Sequence, residues 1–372
     1  MLTSLKLTNF RSFRSFSIDK LARVNLFVGV NNAGKTCLLD ATELLLSSGN
    51  PYAIWRGARR RGETFHHPGL TRELANISHL FHGHVFEVGA RFTLEGEHDG
   101  AELIACEVVA PRLDPEPIER AEPSPRGPRI DPAGMEDSPA LTLHIGAFGK
   151  DRSAPHERWL KLSSFGDVVV QHSTRSGVDI LTDSLHPIHF LGTESFDAVH
   201  LSKLWDKLIL TPEEGSAIDA LQIIEPAIER IAFTGHAGQS EGRFFLKLSG
   251  STQRVPLGSM GDGLKRLLAL SLHLAQSAGG SLLIDEIDTG LHYSVMVRMW
   301  RLVIETARRL DIQVFATTHS LDCILALAEL YEQAPELGGE VLLHRVERGE
   351  ETPMTYTADE LRVATAQHME VR

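Results

Sequence analysis

"GVNNAGKT", residues 29–36, decides the fold class of this chain. It fits the pattern G-x-x-x-x-G-K-[ST], in which glycines let the main chain wrap phosphates and loop N–H groups point inward at a helix start. The flanks agree. "ARVNLFVGV" leads into it as an apolar strand, and "KTCLLDATELLLSS" follows with Leu38, Leu39, Ala41, Leu44 and Leu45 on the buried stripe of a helix. Strand, glycine loop, helix is the geometry that brings Gly29, Val30, Asn31, Asn32, Ala33, Gly34, Lys35, Thr36 and Cys37 against a nucleotide's phosphates. Lys35 is expected to reach the β- and γ-phosphates, and Thr36 to ligate Mg²⁺ through its hydroxyl.

Two later strands supply what such a loop needs beside it. "SLLIDEIDTGLH" runs four apolar residues into Asp285 and Glu286, followed by a turn at Asp288 and Gly290. Asp285 is expected to hold the Mg²⁺ shell and Glu286 to orient or deprotonate an attacking water. "IQVFATTHS" ends a further apolar strand on His319. In a parallel sheet the carboxyl ends of strands line the ligand crevice, so His319 is placed to face a γ-phosphate. A lone histidine after a strand is usually a turn residue. Here one helix and one strand fit the gap back to Glu286, which favours the functional reading.

"PLGSMGDGLKRLLAL", residues 256–270, carries Ser259, Gly261 and Gly263 as S-x-G-x-G ahead of an apolar helix. Alone it is an ordinary helix start. Its place shortly before the Asp-Glu strand raises a second reading: glycines that let the main chain approach another subunit's γ-phosphate, with Ser259 donating at the helix N-terminus.

The rest of the 372 residues bounds the answer. Aromatics are 6% of the chain, so the core is expected to be aliphatic. A run of about 18 apolar residues is missing, which argues against a membrane span. The start, "MLTSLKLTNFRSF", has no signal-peptide core. The three cysteines, Cys37, Cys106 and Cys323, lack metal-ligand spacing and read as thiols of a reducing cytoplasm. A net charge of −12 argues mildly against a chain that coats nucleic acid. Residues 84–110 and 140–173 read as β-hairpins, and eight of the 17 prolines fall between Pro111 and Pro139, as in a loop or linker. "PIHFLG" reads as a buried strand, "HLSKLWDKLILTPEEGSAIDALQIIEPAIERI" as two helices, "EVLLHRVE" as a strand and "ADELRVATA" as a short helix. The expected fold is α/β, with a central mixed or parallel sheet and an antiparallel β appendage. The expected parts are 1–83 with the phosphate loop, an insertion at 84–186, the signature and acidic strands at 187–346, and a tail at 347–372.

Taken together, "LTNFRSF", "GVNNAGKTCLLDA", "GSMGDGLKRLL", "LLIDEIDTGLHYS" and "VFATTHSLD" resemble the RecF/OLD-like AAA-type ATP-binding proteins, whose core is an ABC-type P-loop ATPase head. The resemblance covers both ends of the chain and leaves its centre without a motif. It implies Mg²⁺-dependent ATP binding and hydrolysis at a head-to-head homodimer. Gly29, Asn32, Gly34, Lys35, Thr36, Asp285 and Glu286 would act in cis. Ser259, Gly261 and Gly263 would act in trans, Asp288 would couple the protomers, and His319 would be the switch histidine. A transporter's signature begins L-S-G-G; here the run is Gly258-Ser259-Met260-Gly261. Sustained heptads are missing, against an SMC-type machine with a coiled coil. The glutamine-loop residue has no clear counterpart, since Gln171 and Gln222 lack supporting context.

Fused OLD proteins carry a Toprim nuclease that needs a glutamate and a D-x-D pair. After His319 the acids Asp322, Glu329, Glu340, Asp359 and Glu360 form no D-x-D, so no such nuclease is expected in this chain. Stand-alone ATPases of this type resemble the ATPase half of two-gene systems whose partner is a Toprim-type or other nuclease, several of them serving phage defence. The alternative is a RecF-like repair or maintenance ATPase that binds DNA in its ATP state. "WRGARRRGETFHH" supplies Arg56, Arg59, Arg60 and Arg61 for a backbone contact, although a solvated loop or pairing with the protein's own carboxylates explains them as well. His66 and His67 have no third ligand at zinc spacing.

Overall fold

The computed structural model describes residues 1–66, 73–97, 101–109, 141–148, 156–163, 166–169, 186–193, 198–235 and 242–372. They form two units: Met1–Leu5, Ser17–Glu43 and Ser184–Arg372 in one, Lys6–Phe16 and Leu44–Asp183 in the other.

The first unit is built on a six-stranded sheet. In spatial order its strands are Ile188–Leu191, Ser281–Ile284, Gln313–Thr318, Val24–Val28, Val341–Arg345 and Met354–Tyr356. The first five run parallel, and only the last pair is antiparallel. The sheet is therefore mixed, as the sequence suggests. Its central strands are buried at nearly every position, because a parallel sheet has both faces covered and cannot alternate. Two amides reach inside with their hydrogen bonds complete. Asn25 exchanges bonds with both main-chain groups of Ala22, and Gln313 Nε2 donates to the carbonyls of Leu2 and Ala22. Buried polar groups are tolerated only when satisfied in this way.

Helices Lys35–Leu46, Asp262–Gln276, Tyr293–Arg309 and Leu321–Gln333 belong to the connections around this sheet. All five residues expected on the first helix's stripe are buried. The core is mainly leucine, isoleucine and valine, with Trp205 and Trp300 the largest enclosed side chains. A small antiparallel sheet, Ile228–Thr234, Arg243–Leu248 and Arg254–Pro256, leads into the signature segment. Here "PAIERI" departs from expectation: Ala198–Asp206 and Glu213–Gln222 are the two helices, but Ile228 already starts a strand. "IERIAFT" buries Ile228 and Ile231 while leaving the intervening Glu229 and Arg230 exposed, a spacing that reads as a helix over so short a span.

The second unit holds most of a nine-stranded sheet in the order Phe13–Ile18, Ser4–Phe10, Arg91–Glu97, Ala101–Val109, Leu141–Phe148, His156–Leu162, Asp167–Val169, Glu73–Asn76 and Thr64–His66. From Arg91–Glu97 onward each pair is antiparallel. This is the β-rich appendage, and it draws on residues ahead of 84 as well as after it. Thr64–His66, with three residues, is too short to register as alternation, whereas Asp167–Val169 falls within the stretch 140–173 expected to form hairpins. The proline-rich stretch 111–139 lies outside the described residues. No helix among the described residues is long and apolar enough to cross a membrane.

Candidate functional site

The parallel register places the ends of three neighbouring strands together. Val28 pairs with Thr318, and Ile284 with Ala316. The chain leaves Val28 through Gly29, whose φ of 147° and close neighbour exclude a side chain: a Cβ there would lie 2.3 Å from the Val346 carbonyl oxygen. Asn32 and Gly34 also have positive φ, at 63° and 102°, so the loop curls before Lys35 opens the helix. Val30, Asn31 and Asn32 are exposed, whereas Ala33, Lys35 and Cys37 are buried. The Lys35 ammonium donates to the carbonyls of Gly29 at 2.7 Å and Val30 at 2.9 Å. Burial lowers its pKa, against the opposing pull of the Glu286 and Asp285 carboxylates.

Across the sheet, Thr36 Oγ1 donates to the Asp285 carboxylate at 3.2 and 3.3 Å, and Thr317 Oγ1 donates to the same group at 2.7 Å. A hydroxyl beside a carboxylate is a pair of hard oxygen donors. It fits Mg²⁺, which takes one or two protein oxygens and completes its shell with phosphates and water. No three His, Cys, Asp or Glu side chains among the described residues form a metal cage.

Glu286 is held in an unusual conformation. Its φ is 47°, sparsely populated for a residue with a side chain. Its N–H donates to Thr317 Oγ1 at 2.9 Å, and its carbonyl accepts from Thr289 N at 3.0 Å. The carboxylate accepts from Thr289 Oγ1 at 3.2 Å and stands 3.3 Å from His319 Nδ1. Both side chains remain partly exposed, at 39% and 47%, so the pair is open to a ligand. Asp288 accepts from Thr318 Oγ1, which fixes the turn after Glu286. Lys35, Thr36, Asp285, Glu286 and His319 are therefore brought to one end of one sheet.

The signature residues are placed differently. Leu257–Met260 is a 3₁₀ turn, and the helix begins only at Asp262. Ser259 thus stands in a short turn ahead of the helix. Gly261 is the N-cap with φ 90°. Gly258, Ser259 and Gly261 are exposed, and a Cβ on Gly258 or Gly261 would meet nothing within 4 Å. Gly263 is different: a Cβ there would lie 2.9 Å from the Gly290 carbonyl oxygen, so its lack of a side chain lets the helix start approach the turn behind Asp288.

Several other expectations find a place. Arg56, Arg59 and Arg60 sit on the helix Pro51–Arg60 with Arg61 as its C-cap, rather than on a loop. The Arg56 and Arg59 guanidiniums lie 5.1 and 5.3 Å from the ring centres of Tyr52 and Trp55. His67 and Gln171 fall outside the described residues. Gln222 Nε2 donates to the Ile228 carbonyl at 2.6 Å, a local bond between helix end and strand.

Among the residues of the site that carry no assigned role in the sequence are Thr317, Thr318 and Arg266. The threonines form the polar end of an otherwise apolar strand, a signal shared with many turns. Arg266 had a better one. It falls on the same helical row as Leu270 and Leu274, and a charge on a buried row needs a partner.

Residues 109–325 match a family model described as "AAA domain, putative AbiEii toxin, Type IV TA system", and residues 1–83 match one described as "AAA ATPase domain". A Helicobacter pylori protein named "ATP/GTP phosphatase" is 21% identical over 355 residues, covering 90% of this chain and 89% of its own. Among solved structures, an SMC head bound to the C-winged helix domain of ScpA aligns at 13% identity and TM-score 0.49, covering 99% of both chains. The SMC head domain from Thermotoga maritima aligns at 14% identity and TM-score 0.42, covering 96% of this chain and 98% of that one.

Proposed function

This chain belongs to the AAA-domain family described as putative AbiEii toxin, Type IV TA system, and from that premise we propose that it is a Mg²⁺-dependent ATPase working as a nucleotide switch. Two copies close head to head over ATP, and the closed state controls a separate effector such as a Toprim-type nuclease in phage defence. The observation that carries this reading is the contrast within one unit: the cis residues are gathered at the strand ends, while Ser259 and Gly261 face outward.

Each role follows from position. The loop amides and Lys35 bind the phosphates, with Lys35 exchanging its present carbonyl partners for phosphate oxygens. Thr36 and Asp285 would hold Mg²⁺, which when bound neutralises charge on the β- and γ-phosphate oxygens. Glu286 accepts a proton from, or orients, the attacking water, and His319 beside it senses the γ-phosphate. Ser259 of one copy donates to the γ-phosphate held by the other. A family description that names a toxin–antitoxin system agrees with a second component. The RecF-like alternative has less behind it, since two of the four arginines of its proposed DNA contact lie over aromatic rings of their own helix.

Glu286→Gln is expected to bind ATP, to release phosphate at least ~10²-fold more slowly, and to sediment as an ATP-dependent dimer. Undiminished phosphate release overturns the role of Glu286. A variant that binds ATP yet stays monomeric overturns closure in trans.

A further inference from the structure

Arg266 is the largest charged side chain enclosed in this unit, with no exposed surface. It stands two turns into the chain segment that begins with Ser259, on the helix Asp262–Gln276. Its Nη1 donates to the Gly192 carbonyl at 2.7 Å, just beyond the strand Ile188–Leu191. Its Nη2 donates to two consecutive carbonyls, Asp285 at 2.9 Å and Glu286 at 2.7 Å. Burial pulls its pKa down to about 10, while the carboxylates of Asp288, Asp285 and Glu286 pull the other way, so the guanidinium keeps its charge at neutral pH.

A fully buried guanidinium is expensive in desolvation, and a leucine on this helical row would pack without that penalty. The geometry of its acceptors accounts for the arginine. Only a planar fork with several fixed N–H directions reaches the ends of two adjacent strands at once; the ammonium of lysine is a single point. The left-handed φ of Glu286 survives only if its peptide groups are held from both sides. Thr317 holds the N–H, and Arg266 together with the Thr289 N–H holds the carbonyl. The second contact between the same two segments is the close approach of Gly263 to the Gly290 carbonyl.

We propose that Arg266 is a positioning residue for hydrolysis, fixing the Glu286 main chain so that its carboxylate meets the attacking water, and that through it a shift of the Ser259-bearing segment is felt at Glu286 of the same copy. This rests on the assignment of Glu286 above. It adds a direction of coupling: contact made at the outward-facing signature reaches the carboxylate of the protomer that presents it.

The test is Arg266→Lys in the full chain, with Arg266→Gln as a second variant in case one folds poorly. Both are read by ATP binding at equilibrium and by single-turnover phosphate release. Arg266→Lys is expected to bind ATP within about threefold of the unaltered protein while its rate falls ~10- to 100-fold, the scale of a catalytic group displaced by about 1 Å. In a Glu286→Gln background the same substitution is expected to cost no further rate, since it acts only through Glu286. Equal losses in binding and rate, an unchanged rate, or a further drop in the Glu286→Gln background would each overturn the proposal. Failure of the underlying reading looks different, because Glu286→Gln alone would then hydrolyse normally.

Discussion

The two glycine-bearing segments of the first unit are both short and both precede a helix, yet they are finished to different degrees. The loop 29–36 is satisfied within the chain. Lys35 has two carbonyl partners, Thr36 has Asp285, and Gly29 is pressed against Val346. The segment 258–263 is satisfied only on its inner side, where Gly263 meets Gly290 and Arg266 meets the acidic turn. Its outer side, Gly258, Ser259 and Gly261, has open space before it. Glycine therefore means close packing in one place and an unfilled surface in the other, and sequence pattern alone does not separate the two.

The largest expected effect comes from breaking the finished half. Gly29→Ala places a methyl group where a backbone oxygen already stands, in a φ region that L-residues rarely adopt. Neither the Val346 carbonyl nor the strand behind it can yield without disturbing the pair Val346 N to Val28 O at 2.8 Å. ATP affinity is expected to fall at least ~10²-fold, with a stability loss of roughly 2–4 kcal/mol. Titration of a fluorescent ATP analogue and a denaturant midpoint check both. Affinity within threefold of the unaltered protein would mean that the loop is not the phosphate cradle.

The open half should behave in the opposite way. Ser259→Ala removes one hydroxyl from an exposed turn, so the folded monomer and its ATP affinity are expected to stay as they are. Turnover is expected to fall roughly tenfold, the scale of one hydrogen bond to a charged group, and the ATP-dependent dimer to weaken. A variant that keeps full turnover and full dimerisation would leave the outward face of this segment without the role assigned to it.

The same contrast explains what could be read from the sequence. The loop, the acidic turn and His319 were legible because their chemistry sits in contiguous residues at strand ends, and the apolar runs before them gave the strands away. The signature was legible as a pattern but not as a shape. Nothing in "GSMGDG" tells that a 3₁₀ turn spans Leu257–Met260 and that Gly261 caps the helix. The second unit reads in the sequence only as hairpins, because its register depends on long-range pairing, such as Asn76 with Asp167, that no local window contains. Arg266 lay in plain view within an apolar helix. Its acceptors are main-chain carbonyls, which leave no trace in a sequence.

The smallest effect sharpens the comparison by giving each half its own titrating group. His344 lies in register with Phe27 on the strand beside the one that feeds the loop, and His273 lies on the signature helix. Both are enclosed, and burial holds the His344 pKa down to about 4 and the His273 pKa down to about 3. In the unfolded chain each titrates near 6.5. Between those values and 6.5 the unfolded state binds more protons, so stability falls as pH drops below about 6.5 and continues to fall toward pH 4. Replacing one histidine by a group that does not titrate removes its share of that slope. Unfolding free energies of His344→Gln from urea titrations at pH 7.5 and 5.5 are expected to differ by roughly 1 kcal/mol less than those of the unaltered protein. The His344 Nδ1 is 3.0 Å from Thr355 Oγ1, a contact the glutamine can replace, so the comparison is between slopes and not between absolute stabilities. Parallel pH profiles for variant and parent would show that the histidine beside the loop strand is already open to protons, and that the finished half of the site is less tightly closed than its hydrogen bonds indicate.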